Sequence, residues 1–140
     1  MSKDKEADGL VDITSFNAVA QCEAGHEFEL QNLDGSNTGL FLTVQGRHSG
    51  EVSRWINALV RKQTHEATMA ARRGKTPEPK SLEELQAQNI DGTVIRVIAW
   101  RGAKQAFDRD LLKVALKNNP HWIAQIVNES DSDGNFTKAQ

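Results

Sequence analysis

Cysteine is nearly absent: Cys22 is the only one in 140 residues, so no disulfide can form within the chain. That suits a reducing compartment. A charge imbalance is missing too. Seventeen Lys and Arg stand against nineteen Asp and Glu, a formal net charge of −2, which gives the whole molecule no electrostatic drive toward nucleic acid or an acidic membrane. No apolar run approaches the roughly 18 residues of a membrane span. The opening residues, MSKDKEADGLVD, contain no apolar core of signal-peptide length. The expected place of work is therefore a cytoplasm. The phosphate-cradling P-loop, the dinucleotide G-x-G-x-x-G and the nucleophile elbow G-x-S-x-G are also missing, and no enzyme is expected.

What remains is ordinary globular material. Hydrophobic residues make up 38% and charged residues 26%, and a chain of this length buries enough surface for one core. Residues 1–12 are polar and expected to be loose. Residues 13–24 admit two readings, an irregular arm or a short helix ending at Gly25 with Ile13, Phe16 and Val19 on one face. From His26 the pattern alternates, Phe28 and Leu30 against Glu27 and Glu29. A turn follows at Leu33–Ser36, then a second apolar run, Leu40–Val44, between Gly39 and Gly46. This predicts an antiparallel hairpin over about 26–45.

Ser49 is placed to cap a helix whose Val52, Trp55, Ile56, Leu59 and Val60 form a core-facing stripe, with helix propensity persisting to Gly74. Pro77 and Pro79 mark a linker over 75–80. Ser81-Leu82-Glu83-Glu84 is a capping box, and the apolar spacing after it predicts a helix over about 81–101, with Gly92 a place for a kink or close packing. Gly102 is expected to stop it. Asp108 caps a helix over about 108–118, and Asn119-Pro120 opens a last one over about 120–128. The expected fold is α+β and mainly helical: a hairpin packed on a long amphipathic helix, then about three C-terminal helices. One domain would run from 13 to 128, with a flexible acidic tail at 129–140.

Candidate chemistry is thin. Glu129–Gly134 resembles the start of a calcium loop, yet Gln140 stands where a bidentate Glu is needed, so no metal is expected there. Cys22 and His26 lack a second ligand pair, and His48, His65 and His121 fall in separate segments. No catalytic residue, cofactor or metal ligand is assigned. Residues 51–75 hold six basic side chains against two acidic ones, a local charge of +4. That marks either a solvated outer helix face or a surface for nucleic acid or an acidic partner. Trp55, Trp100 and Trp122 are core candidates or, with nearby Arg, interface candidates.

Two segments together resemble a known family. The first is FELQNLDGSNTGLFLTVQGRHSGEVSRW, Phe28 to Trp55. The second carries W-R-G, F-D-R-D-L-L and N-P-H-W-I-A-Q-I between Trp100 and Ile126. Their order of landmarks is similar to that of the tail assembly chaperones of long-tailed, siphovirus-type bacteriophages. The resemblance implies a non-enzymatic protein of the host cytoplasm that coats the tape measure protein, keeps it soluble, and promotes tail tube polymerisation around it. It also implies self-association, and a frameshifted longer form that recruits tail tube protein. On this reading Trp55, Trp100, Phe107 and Trp122 belong to the core or a shared interface. Arg54 and Arg61 face an acidic client or neighbour. Two other readings compete: a small nucleic-acid-binding regulator using the 51–75 helix, and a structural subunit retained in the tail.

Overall fold

The computed structural model describes residues 9–137, in an α+β arrangement of five α-helices and a three-stranded antiparallel sheet. The expectation of a loose segment at residues 1–8, and the last three residues of the expected acidic tail, lie outside the described residues. Helix α1 (Ala18–Ala24) begins where the Asn17 side chain accepts from the Ala20 N–H, and ends at Gly25, whose φ of +89° few other residues adopt. Of the two readings of residues 13–24 the helix holds only for Ala18–Ala24, after a 3-10 turn at Ile13–Ser15, and not with the face assigned to it. Ile13, Phe16 and Val19 are exposed, and Cys22 is the residue buried.

Strands β1 (His26–Gln31) and β2 (Asn37–Val44) form the expected hairpin, with His26 opposite Val44 and Glu29 opposite Phe41. The turn is held by local bonds. Ser36 O accepts from the Asn32 N–H, and Asp34 Oδ1 accepts from both the N–H and the hydroxyl of Ser36.

Helix α2 (Gly50–Arg72) starts at Ser49, whose hydroxyl accepts from the Val52 N–H. Helix α3 (Leu82–Val94) starts with the complete capping box of Ser81 and Glu84. It runs back alongside α2 in the same chain: Lys80 Nζ lies 3.9 Å from Glu66 at one end, and Gly92 faces Trp55 at the other.

The single helix expected over 81–101 is wrong. Helix α3 ends at Val94, and Val97–Arg101 is strand β3, which adds to the sheet in the order β1-β2-β3 with Leu42 opposite Trp100. The β-branched run Val94, Ile95, Val97, Ile98 prefers a pleated, buried surface, and that preference overrides the helical spacing. Gly102 ends a strand rather than a helix, at φ +92° and against the backbone of Gly39. Gly92 is a site of close packing, since a Cβ there would lie 2.8 Å from the Trp55 ring.

Helix α4 (Arg109–Asn118) is capped by Asp108, as expected. Helix α5 (His121–Asp131) begins one residue later than expected, because Asn119 turns its amide back to the Ala115 carbonyl and leaves the start to Pro120. The hairpin rests on α5, not on the long helix. Leu30, Leu42, Val44, Val97, Leu112, Leu116 and Ile126 form the core, with Trp122 and Ile123 packed against it, while Val52 is the only α2 residue fully buried and lies outside that cluster.

The expected flexible tail from Glu129 is corrected as far as the described residues go. Helix α5 continues to Asp131, a 3-10 turn follows at Asp133–Asn135, and Phe136 is buried against Cys22 and Gly46. Phe136 anchors this segment together with polar ties from Arg96 to Asp131, Arg47 to Asp133 and Asn135 to the Glu129 carbonyl.

Candidate binding surfaces

The six residues singled out from sequence do not form one site. Trp100 and Phe107 meet edge-on with ring centroids 5.1 Å apart, and the Trp100 indole N–H donates to Gln105 O at 2.8 Å. Both pack on the core, as does Trp122, whose indole N–H is buried without a partner. These three belong to the interior side of the molecule. Trp55 stands apart on α2, over Gly92. Arg54 and Arg61 are exposed on the far side of the same helix.

The first turns of α2 are bolted down by polar groups that sequence reasoning missed. Arg109 donates to Glu51 Oε2 at 2.9 Å and Oε1 at 3.2 Å, and also to the carbonyls of Val97 and Ile95. Gln45 Nε2 donates to Glu51 Oε1 at 2.7 Å and to Ile95 O at 2.8 Å. The Arg109 guanidinium, with burial opposing and Gln45 assisting, holds the Glu51 carboxyl below its ordinary value. A second set lies nearby. Arg96 Nη1 donates to Ser130 Oγ at 3.0 Å and Asp131 Oδ1 at 2.7 Å, and Ser130 donates to Gln45 O at 2.8 Å. A faint signal was present: Arg109 sits at the first position of a capped helix, where a cation opposes the helix dipole and needs a carboxylate to hold it.

The acidic stretch considered for calcium is engaged by the protein's own side chains. Glu129 lies 3.1 Å from His26 Nε2, Asp131 holds Arg96, and Asp133 receives both Nε and Nη2 of Arg47 at 3.1 and 2.7 Å. The Arg47 bond keeps the Asp133 carboxyl below its usual value. His26 therefore points at Glu129, away from any pairing with Cys22, which is buried behind Gly46. Among the described residues no group of three or more His, Cys, Asp or Glu is arranged to hold a metal ion. No helix among them is long and apolar enough to cross a membrane.

Beyond Leu59, α2 has almost nothing beneath it. At about 1.5 Å per residue its 23 residues extend about 35 Å, and Val60 through Thr68 are all exposed. An open groove of about 390 Å³ separates it from α3 between Trp55, Ala58 and Leu59 on one side and Glu84, Ala87 and Asp91 on the other. A second opening of about 590 Å³ lies under Met69 and Ala70. Spacings of 7 and 11 bring Arg54, Arg61 and Arg72 onto one line along the outer face. Among the described residues none of these three has a carboxylate within ion-pairing distance. A low apolar ridge of Ile56, Val60, Ala67 and Ala71 runs on a different side of the helix, roughly 100–160° around the axis from that line. The arginine line and the ridge of small residues therefore face different directions, and the ridge is the one suited to lying against another helix.

No protein family, curated protein or solved structure matches this chain.

Proposed function

We propose that this chain is a tail assembly chaperone that binds the tape measure protein of a long-tailed phage, keeps it soluble, and promotes tail tube polymerisation around it. The observation that carries the reading is α2: a 23-residue helix fastened by its first turns, with most of its length offering an apolar ridge and unpaired arginines to solvent. A long helical client fits the ridge, because helices pack through rows of side chains at these spacings, and the arginines remain on another side of α2 for an acidic neighbour. The family resemblance of the two quoted segments supplies the identity of the client. Tail tube protein joins through a longer, frameshifted form of the chain, and the protein works in the host cytoplasm without cofactor or catalytic residue.

Co-expression with the proposed client, the tape measure protein, tests the proposal. The expected result is a soluble complex, with the client insoluble when expressed alone. A client equally soluble and unbound in both cases would sink it. Recovery of this chain at high copy from purified virions would favour a structural tail subunit instead.

The unpaired row Arg54, Arg61 and Arg72 also supports a second reading, a nucleic-acid-binding regulator. Affinity for DNA or RNA would then fall steeply with salt. Against it, Glu84 and Asp91 of α3 stand across the groove from Lys62, so that flank carries mixed charge. A gel shift with no binding at low salt removes this reading.

A further inference from the structure

Residues 132–137 hang from the end of α5 and lie across the joint where α2 leaves the sheet. Their own backbone hydrogen bonds stay local: the Asn135 N–H donates to Ser132 O and the Phe136 N–H to Asp133 O. Among the described residues no backbone hydrogen bond ties this segment to the sheet, to α1 or to the β2–α2 junction. Side chains alone attach it. Ser132 Oγ and Asn135 Nδ2 donate to the Asn128 and Glu129 carbonyls of α5. Asp133 takes Arg47 and, at 3.5 Å, His48 from the junction. Phe136 is the segment's one large apolar side chain, 4% exposed, with its ring edge-on to His26.

These attachments are unequal. The side chains of Arg47, His48 and Asp133 are 49%, 50% and 43% exposed, and ion pairs so open to water add little. The segment is therefore fastened mainly by one phenyl ring and its hydrogen bonds to α5. Leu30, Leu42, Val97, Leu112, Leu116 and Ile126 join the sheet, α4 and α5 without it. Segments with few buried contacts and no backbone pairing to their surroundings open far more readily than the whole fold unfolds.

We propose that residues 132–137 form a strap that swings away from the β2–α2 joint while the rest of the fold stays intact, and that this opening bares the Cys22 thiol. Cys22 is 3% exposed. A Cβ added at Gly46 would overlap its sulfur and come within 3.1 Å of the Phe136 ring, so the three groups pack without a gap. Gly46 is fixed there by its N–H, which donates to Cys22 O at 3.0 Å, and Phe136 is the wall that can leave. The strap also bears on the base of α2. Arg47 and His48 directly precede the Ser49 cap, and Ser130, just ahead of the strap, donates to Gln45 O. This device is independent of what the α2 face binds.

Alkylation of the full chain by iodoacetamide along a urea series below the unfolding transition tests it. A local opening exposes little surface, so the rate is expected to stay nearly flat in urea until global unfolding takes over with its steeper slope. Asn135→Ala, which changes no charge near the thiol, is expected to raise the flat rate about 5-fold, the worth of one hydrogen bond. Phe136→Ala is expected to raise it at least ~30-fold, and Asn135→Ala carries the test if that variant does not fold. Asn17→Ala, which loosens the cap of α1 on the other side of Cys22, is expected to leave the flat rate unchanged. A rate that follows the global slope from the lowest urea, a thiol that reacts as fast as in the unfolded chain, or strap variants that react like the wild type would each overturn the proposal. So would a response to Asn17→Ala as large as that to Asn135→Ala, because α1 would then be the part that moves.

Discussion

Helices α5 and α2 are both amphipathic and both begin beside the sheet, yet they end in different surroundings. α5 has 11 residues and spends them on the interior: Ile126 and Ser130 are fully buried, Trp122 and Ile123 lean on the core, and Glu129 and Asp131 engage His26 of β1 and Arg96 of the segment before β3. α2 has 23 residues and fully buries one, Val52. The difference lies in how far each apolar stripe continues relative to its helix. Large apolar residues on α2 stop at Val60, after which the stripe is Ala and Met, enough for helix propensity but little for a core. Helix surface that the core does not use remains open to a partner.

The sharpest way to break this comparison is a matched pair of truncations. Ile126→Ala in α5 is expected to cost about 2–5 kcal/mol of unfolding free energy, as for other fully buried aliphatics. Val60→Ala in α2, 53% exposed, is expected to stay within about 0.5 kcal/mol. Urea unfolding of both variants measures the difference, and similar losses would mean that α2 is packed. Next in size is Gly102→Ala, at the exit of β3. Its positive φ and the closeness of the Gly39 carbonyl predict a loss of about 1–3 kcal/mol, read in the same experiment.

The hairpin was legible because alternation and flanking glycines leave few alternatives, and the caps at Ser49, Ser81 and Asp108 were legible because they are local chemistry. Strand β3 was not. Val94 to Trp100 is a short apolar run that fits a buried helix or a buried strand equally by spacing, and only its pairing with β2 decides. The supporting role of α5 was missed for a related reason: sequence locates an amphipathic face but not the element it meets. Phe136 was hidden by its polar neighbours. The candidate residues divide along the same line. The core positions of Trp100, Phe107 and Trp122 follow from composition, whereas the Glu51–Arg109 tie joins residues 58 apart and leaves no local pattern.

That tie separates the fixed part of α2 from the free part, and it has a pH signature. The folded-state pKa of Glu51 is depressed, so its contribution is fully present above the unfolded carboxylate value near 4.5 and is lost as pH falls through the lower folded value. With both side chains more than a third exposed, screening holds this contribution below about 1 kcal/mol. Glu51→Gln should remove that part of the acid dependence. Urea midpoints compared between pH 3 and pH 6 would reveal it, and an unchanged slope in the variant would exclude the tie as its source. The smallest effect on stability is expected from Arg54→Ala/Arg61→Ala, within about 0.5 kcal/mol. The same pair is expected to weaken client capture in the co-expression assay. Undiminished capture would move the contact off this face.

Hydrogen exchange along α2, with and without the long helical client, tests the central claim most directly. Amides of residues 61–72 are expected to exchange much faster than those of α5 in the free chain and to become protected in the complex. Slow exchange of residues 61–72 in the free chain, or exchange that the client leaves unchanged, would contradict it.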